Sequence, residues 1–175
     1  MPKKLDPRLF VCAASPEIAK EVEIVHSFND FDLNPRVLEN LSKKGYIKPT
    51  PIQDQALEPA LAGKDVLGLA DTGTGKTAAF SLPIIQKLLT DSYGTALIVA
   101  PTRELAVQIR DEIRDYTFGL NLFSCLLIGG SDMHRQINDL KRRPHIYIGT
   151  PGRMRDLYNR HALHLDNTKI VVLDE

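Results

Sequence analysis

The chain has 175 residues, 43% of them hydrophobic and 25% charged, with 22 Lys+Arg against 22 Asp+Glu. At ~100 to 200 residues per domain this length holds one compact domain and a tail, and the composition excludes a fibrous or disordered chain. A net charge of zero excludes a globally basic nucleic-acid binder, so any grip on nucleic acid has to come from a local arrangement of groups.

Cys12 and Cys125 stand far apart without C-x-x-C spacing, which suggests neither a disulfide framework nor a zinc site. The apolar run Leu9 to Ala14 is short for a signal-peptide core, and nothing approaches the ~18 apolar residues that span a bilayer. A cytoplasmic location with no membrane partner is expected.

Residues 1–26 read as an N-terminal extension, with a short helix possible after Ser15-Pro16-Glu17 carrying Ile18, Val22 and Val25 on one face. The domain proper is expected over residues 27–175. Asn34 is a good N-cap before Pro35; Val37, Leu38 and Leu41 supply an apolar face, Lys43 and Lys44 suit the last turn, and Gly45 stops the helix. A second helix is predicted from about Ile52 to Ala62, ending at Gly63, with Pro59 expected to bend it.

Short apolar runs at Val66 to Ala70, Ala96 to Ala100, Ser124 to Ile128, Ile146 to Ile148 and Ile170 to Leu173 then alternate with helical stretches. Such alternation predicts βαβ units around a buried, mostly parallel sheet, an α/β fold. After Thr102, Leu105, Ile109, Ile113 and Tyr116 share one helical face, and Arg110, Asp111, Arg114 and Asp115 form a solvated one. Lys141-Arg142-Arg143 reads as a solvated helix end, and His161 with His164 lacks a third ligand for a metal.

Directly after the first apolar run comes Ala70-Asp71-Thr72-Gly73-Thr74-Gly75-Lys76-Thr77, followed by an apolar helical stretch in which Pro83 should introduce a bend. Gly73 and Gly75 let backbone N–H groups turn toward phosphate oxygens, and the next helix offers its positive end to the same anion. Lys76 supplies a point charge for the β and γ phosphates, and the Thr77 hydroxyl is placed to hold Mg²⁺. Ala70 departs from the general motif, which begins with Gly.

The run Ile170 to Leu173 ends in Asp174 and Glu175. Ligands of open parallel sheets sit beyond the carboxyl ends of strands, which brings both acids beside the phosphate loop. Asp174 would orient Mg²⁺ through water, and Glu175 would polarise the attacking water.

These residues resemble the DEAD-box ATP-dependent RNA helicases, specifically their first RecA-like domain, from about Phe28 to Glu175. Gly45-Tyr46-Ile47-Lys48-Pro49-Thr50-Pro51-Ile52-Gln53 resembles the family's Q motif, and Phe28 matches its isolated upstream aromatic. The resemblance implies that Gln53 reads the adenine edge, that Phe28 stacks on its face, and that Tyr46 and Lys48 lie at the nucleotide site with Thr72, Gly73, Thr74, Gly75, Lys76 and Thr77. A glutamine carboxamide can donate to N7 and accept from the N6 amine of adenine together, which fits that role. In this family Ala at the first loop position is ordinary.

Pro101-Thr102-Arg103 resembles motif Ia, Gly129-Gly130 the paired-glycine motif, and Thr150-Pro151-Gly152-Arg153 motif Ib. The resemblance implies that these three line a groove for the RNA backbone. Each follows a predicted strand and starts or precedes a helix, gathering N–H groups, hydroxyls and two arginines on one rim.

The similarity stops after the first two residues of the DEAD motif. The family continues with a Ser-Ala-Thr motif and a second RecA-like domain that supplies arginine fingers, so the RecA-like P-loop fold is expected to be incomplete at its C-terminal end, lacking an interior strand. Low activity of these 175 residues alone is the corresponding expectation, since an arginine finger is worth ~10³ to 10⁵ in rate. The reading is an ATP- and RNA-binding domain of a helicase using ATP and Mg²⁺. Its alternatives are a non-catalytic nucleotide- or partner-binding module and a small-molecule kinase or GTPase; guanine specificity lacks an Asn-Lys-x-Asp sequence here.

Overall fold

A computed structural model of the chain describes residues 23–91 and 94–175. The helix predicted after Ser15, and Cys12, lie outside the described residues. A short 3-10 helix, Phe28–Asp30, precedes α1 (Pro35–Lys43), α2 (Pro51–Leu61) and α3 (Lys76–Thr90). There follow β1 (Thr95–Val99), α4 (Arg103–Tyr116), β2 (Ser124–Leu127), α5 (Met133–Lys141), β3 (Ile146–Gly149), α6 (Pro151–Asn159) and β4 (Thr168–Leu173).

The helix ends form where the sequence signals stand. Asn34 Oδ1 accepts from Arg36 N at 2.9 Å with Pro35 as the first helical residue, and the chain leaves α1 through Gly45 at φ +82°. Gly63, at φ +77°, follows α2 in the same way, since a residue without Cβ adopts the left-handed region at little cost. Pro59 and Pro83 both lie inside continuous helices.

Four strands pair in parallel in the order β2-β3-β1-β4. Alternation along β1 sends Ala96 and Ile98 to one face, against Ile84 and Leu88 of α3 and Ile109 and Ile113 of α4. Leu97 and Val99 point to the other face, where Leu127, Tyr147, Met154 and Leu157 gather between the sheet and α5 and α6. An outer layer joins Phe28, Val37, Leu41, Leu57, Leu82 and Tyr116, locking α1 and α2 onto α3 and α4. Gly149 closes β3 where an added Cβ would collide with the Leu127 carbonyl of β2.

One predicted strand does not form. Residues 64–70 carry no regular structure, and Leu67 and Leu69 are 90% and 89% exposed, so the run Val66 to Ala70 is a strand in apolar pattern only. A strand exists by its ladder, and neither this segment nor the outer edge of β4 has a neighbour on that side among the described residues. The β4 side chains Val171 and Leu173 are correspondingly exposed.

Candidate nucleotide site and backbone groove

The loop between residue 70 and α3 is shaped by Gly73 (φ +80°) and Gly75 (φ +91°), both in the left-handed region that favours glycine. Thr74 Oγ1 donates to the Asp71 carbonyl at 2.7 Å, bracing the turn. Lys76 is the first residue of α3, followed by Thr77, so both stand in the first turn, where the N-terminal N–H groups of a 15-residue helix have no helical partner. Thr72 lies exposed on the turn.

Across this loop stands the end of β4. Asp174 N continues the ladder by donating to the Val99 carbonyl at 3.0 Å, and Lys76 Nζ lies 3.6 Å from Glu175 Oε1. Burial pushes the Asp174 carboxyl above its ordinary value; Lys76 draws it down and Glu175 pushes it up again. Two adjacent carboxylates and the Thr77 hydroxyl are oxygen donors. That set fits Mg²⁺, which takes one or two carboxylates along with phosphate and water oxygens.

The first turn of α2 holds the loop from behind. Gln53 is fully buried: its Oε1 accepts from Thr50 N at 2.9 Å, and its Nε2 donates to the Gly75 carbonyl at 3.0 Å. A Cβ at position 75 would run into that carboxamide, so close approach as well as φ requires glycine there. Phe28 is 5% exposed, its ring meeting Tyr46 edge-on at 6.2 Å. The Tyr46 hydroxyl is engaged with that of Tyr116 at 3.0 Å, and Tyr116 donates on to Glu112; burial raises the Tyr116 phenol far above its ordinary value. Lys48 is exposed. Of the residues assigned to the nucleotide, Gln53 thus meets the phosphate loop directly, Phe28 and Tyr46 pack with Tyr116 in the outer apolar layer that joins α1 and α2 to α3 and α4, and Lys48 stands at the surface.

Most of the second group of residues lies around one groove. Pro101, Thr102 and Arg103 at the start of α4, Gly129 after β2, and Thr150, Gly152 and Arg153 at the start of α6 surround one open groove of about 590 Å³. Thr102 caps α4 by accepting from Leu105 N at 3.2 Å, and Arg153 Nη1 donates to the Ser131 carbonyl at 3.3 Å, tying α6 to the glycine turn. Gly130 takes φ +78°, and a Cβ on it would strike the Arg103 guanidinium. Pro151, exposed, opens α6 with its fixed φ. Two helix N-termini and two guanidinium groups make this rim suited to phosphate, a contact that positions a nucleic acid without reading its bases.

Two acids on that rim, Glu104 and Asp156, are not marked by the sequence pattern, although Asp156 follows Arg153 at helical spacing. Nor are His26 and Asp54: the Asp54 carboxylate accepts from Val25 N, His26 N and the His26 ring. No local pattern marks a contact 28 residues apart. His161 and His164 line a separate cavity beyond α6, and no cluster of three metal-ligating side chains occurs among the described residues.

Parallel strands with helices on both faces, a glycine loop opening α3 and paired acids at the end of a neighbouring strand define a RecA-like α/β domain. The family model for the DEAD/DEAH box helicase matches residues 50–175, and the chain belongs to that family. It is 46% identical over 149 residues to the ATP-dependent RNA helicase CshA of Limosilactobacillus reuteri, covering 85% of this chain and 30% of that protein. It is 44% identical over 164 residues to the ATP-dependent rRNA helicase RRP3 of Meyerozyma guilliermondii, covering 93% and 34%. Among solved structures, a DEAD box protein from the hyperthermophile Methanococcus jannaschii superposes with a TM-score of 0.80 at 39% identity, over 85% of this chain and 41% of that one. The chain spans about a third of the length of the curated relatives it matches. Among the described residues no helix is long and apolar enough to cross a membrane.

Proposed function

We propose that this chain is the ATP- and RNA-backbone-binding domain of an ATP-dependent RNA helicase, in which RNA-stimulated ATP hydrolysis drives local strand separation. The observation that carries the reading is convergence: three segments far apart in sequence meet at one groove rich in helix N-termini and arginine. The relatives' names, which specify RNA and ATP, support the same choice.

In this reading Lys76 and the N–H groups of residues 73–77 hold the nucleotide phosphates, and the base is taken up at Gln53 and Phe28, both buried here, once Gln53 gives up its Thr50 and Gly75 partners. Thr77 and Asp174 would hold Mg²⁺, which would supply charge neutralisation to the phosphates. Glu175 accepts a proton from the attacking water, with the Lys76 ammonium 3.6 Å from its carboxylate. The three groove segments grip sugar and phosphate, so the RNA is selected by shape and strandedness. A second RecA-like domain of the full-length protein supplies the missing half of the groove, and the 175 residues alone turn over ATP slowly.

The test is ATP turnover of the full-length protein with and without single-stranded RNA, with Glu175→Gln as control. RNA stimulation that the substitution abolishes supports the reading. Retained ATP binding with no turnover under either condition replaces it with the non-catalytic module.

A further inference from the structure

The first turn of α2 grips two separate pieces of chain with two consecutive residues. Gln53 fastens the Gly75 carbonyl of the phosphate loop. Asp54, next to it, fastens the segment that leads into Phe28: Oδ2 accepts from Val25 N at 3.2 Å, and Oδ1 accepts from His26 N at 3.0 Å and meets the His26 Nδ1 at 2.9 Å. Ser27 N is held in turn by Asp30 Oδ2 at 2.6 Å. Three successive backbone N–H groups immediately before Phe28 are therefore fixed by two carboxylates. The Asp54 side chain is only 6% exposed, and a carboxylate is costly to bury unless its oxygens are satisfied by donors.

We propose that Asp54 is a positioning residue for adenine recognition: by anchoring Val25 and His26 to the helix turn that carries Gln53, it fixes Phe28 relative to the phosphate loop. The inference rests on the reading above that the base lies at Gln53 and Phe28. Its anchor is the backbone of residues 25 and 26, with the His26 ring as an additional contact packed on Phe31 at 5.3 Å between centroids. A role in folding alone would treat all ligands of the site alike; a role in placing Phe28 acts on the base and spares the phosphates.

The experiment is a titration of the full-length protein with ADP and, separately, with inorganic tripolyphosphate, comparing Asp54→Ala, Asp54→Asn, Val25→Pro and Phe28→Ala. Val25→Pro removes one N–H donor and leaves the carboxylate intact, so it keeps the question open to measurement if Asp54→Ala fails to fold. Loss of a charge-assisted hydrogen bond of this kind corresponds to about a tenfold weakening. The expected result is that Asp54→Ala and Val25→Pro lose about that factor for ADP and none for tripolyphosphate, with Asp54→Asn in between. Unchanged ADP affinity in Asp54→Ala and Val25→Pro, or equal losses for both ligands, overturns the proposal while Phe28→Ala still weakens ADP selectively. If Phe28→Ala leaves the preference for ADP untouched, the base site itself is misplaced, and the proposal falls with it.

Discussion

Lys76 Nζ stands 3.6 Å from Glu175 Oε1, joining the first turn of α3 to the far end of β4. In the proposed reading the ammonium serves the phosphates and the carboxylate serves the attacking water. Substitution at the two ends therefore separates binding from chemistry. Glu175→Gln in the full-length protein is expected to bind ATP normally and to lose ~10²-fold or more in turnover, the usual range for a positioned general base. Lys76→Ala is expected to lose ATP binding itself. Equilibrium nucleotide titration beside single-turnover hydrolysis measures the two effects; equal loss of binding in both variants would contradict the division of labour.

Arg103 and Arg153 approach the groove from the N-termini of α4 and α6. Each is expected to neutralise one phosphate, so Arg103→Ala and Arg153→Ala should weaken binding of any single-stranded RNA sequence about equally. Each should also reduce the slope of log K against log salt by about 0.7. Fluorescence anisotropy across a salt series provides the slopes. A sequence-dependent loss would instead mean base contact.

Asn40, 4% exposed, donates through Nδ2 to the carbonyls of Tyr116 and Phe118, both at 2.9 Å. It thus closes the C-terminal end of α4, whose last carbonyls have no helical partner. Asn40→Ala leaves two carbonyls unsatisfied and is expected to destabilise the fold by about 1–3 kcal/mol, read as a lower denaturation midpoint with an unchanged slope. A variant as stable as the parent would show that water replaces the carboxamide.

The Asp54 carboxyl is held below its ordinary value of 3.8: burial alone would raise it, and the Val25 and His26 N–H groups with the His26 ring more than reverse that. In the window below that value the unfolded chain binds more protons than the folded one, so the stabilisation is full above 3.8 and is lost as pH falls through the lower folded value. Melting temperatures from about pH 5 down to about pH 2 should therefore fall more steeply for the parent than for Asp54→Asn. Parallel curves would remove Asp54 from the acid response.

The elements that carry their own punctuation are legible in the amino-acid sequence. Asn34-Pro35 and Gly45 bracket α1, the spacing from Leu105 to Tyr116 marks α4, and strands β1 to β4 stand where continuous apolar runs occur, because these signals act within a few residues. The groove can be assembled from Thr102, Gly129 and Thr150 since each follows a strand of a parallel sheet, whose carboxyl ends all open on one side. Local pattern fails where the deciding contact is distant. Val66 to Ala70 has the composition of a buried strand, yet pairing is a property of two segments. The double engagement of Gln53 and the Asp54 anchor depend on loops that only the fold brings together.

The free edge of β4 and the stretch 64–70 have a consequence for handling. Val171, Leu173, Leu67 and Leu69 present apolar surface to water next to backbone donors and acceptors with no ladder partner among the described residues, the combination from which chains recruit one another. For these 175 residues in isolation, light scattering is expected to rise with protein concentration. A strand supplied alongside β4 would act as a solubilising agent before it contributed anything to catalysis.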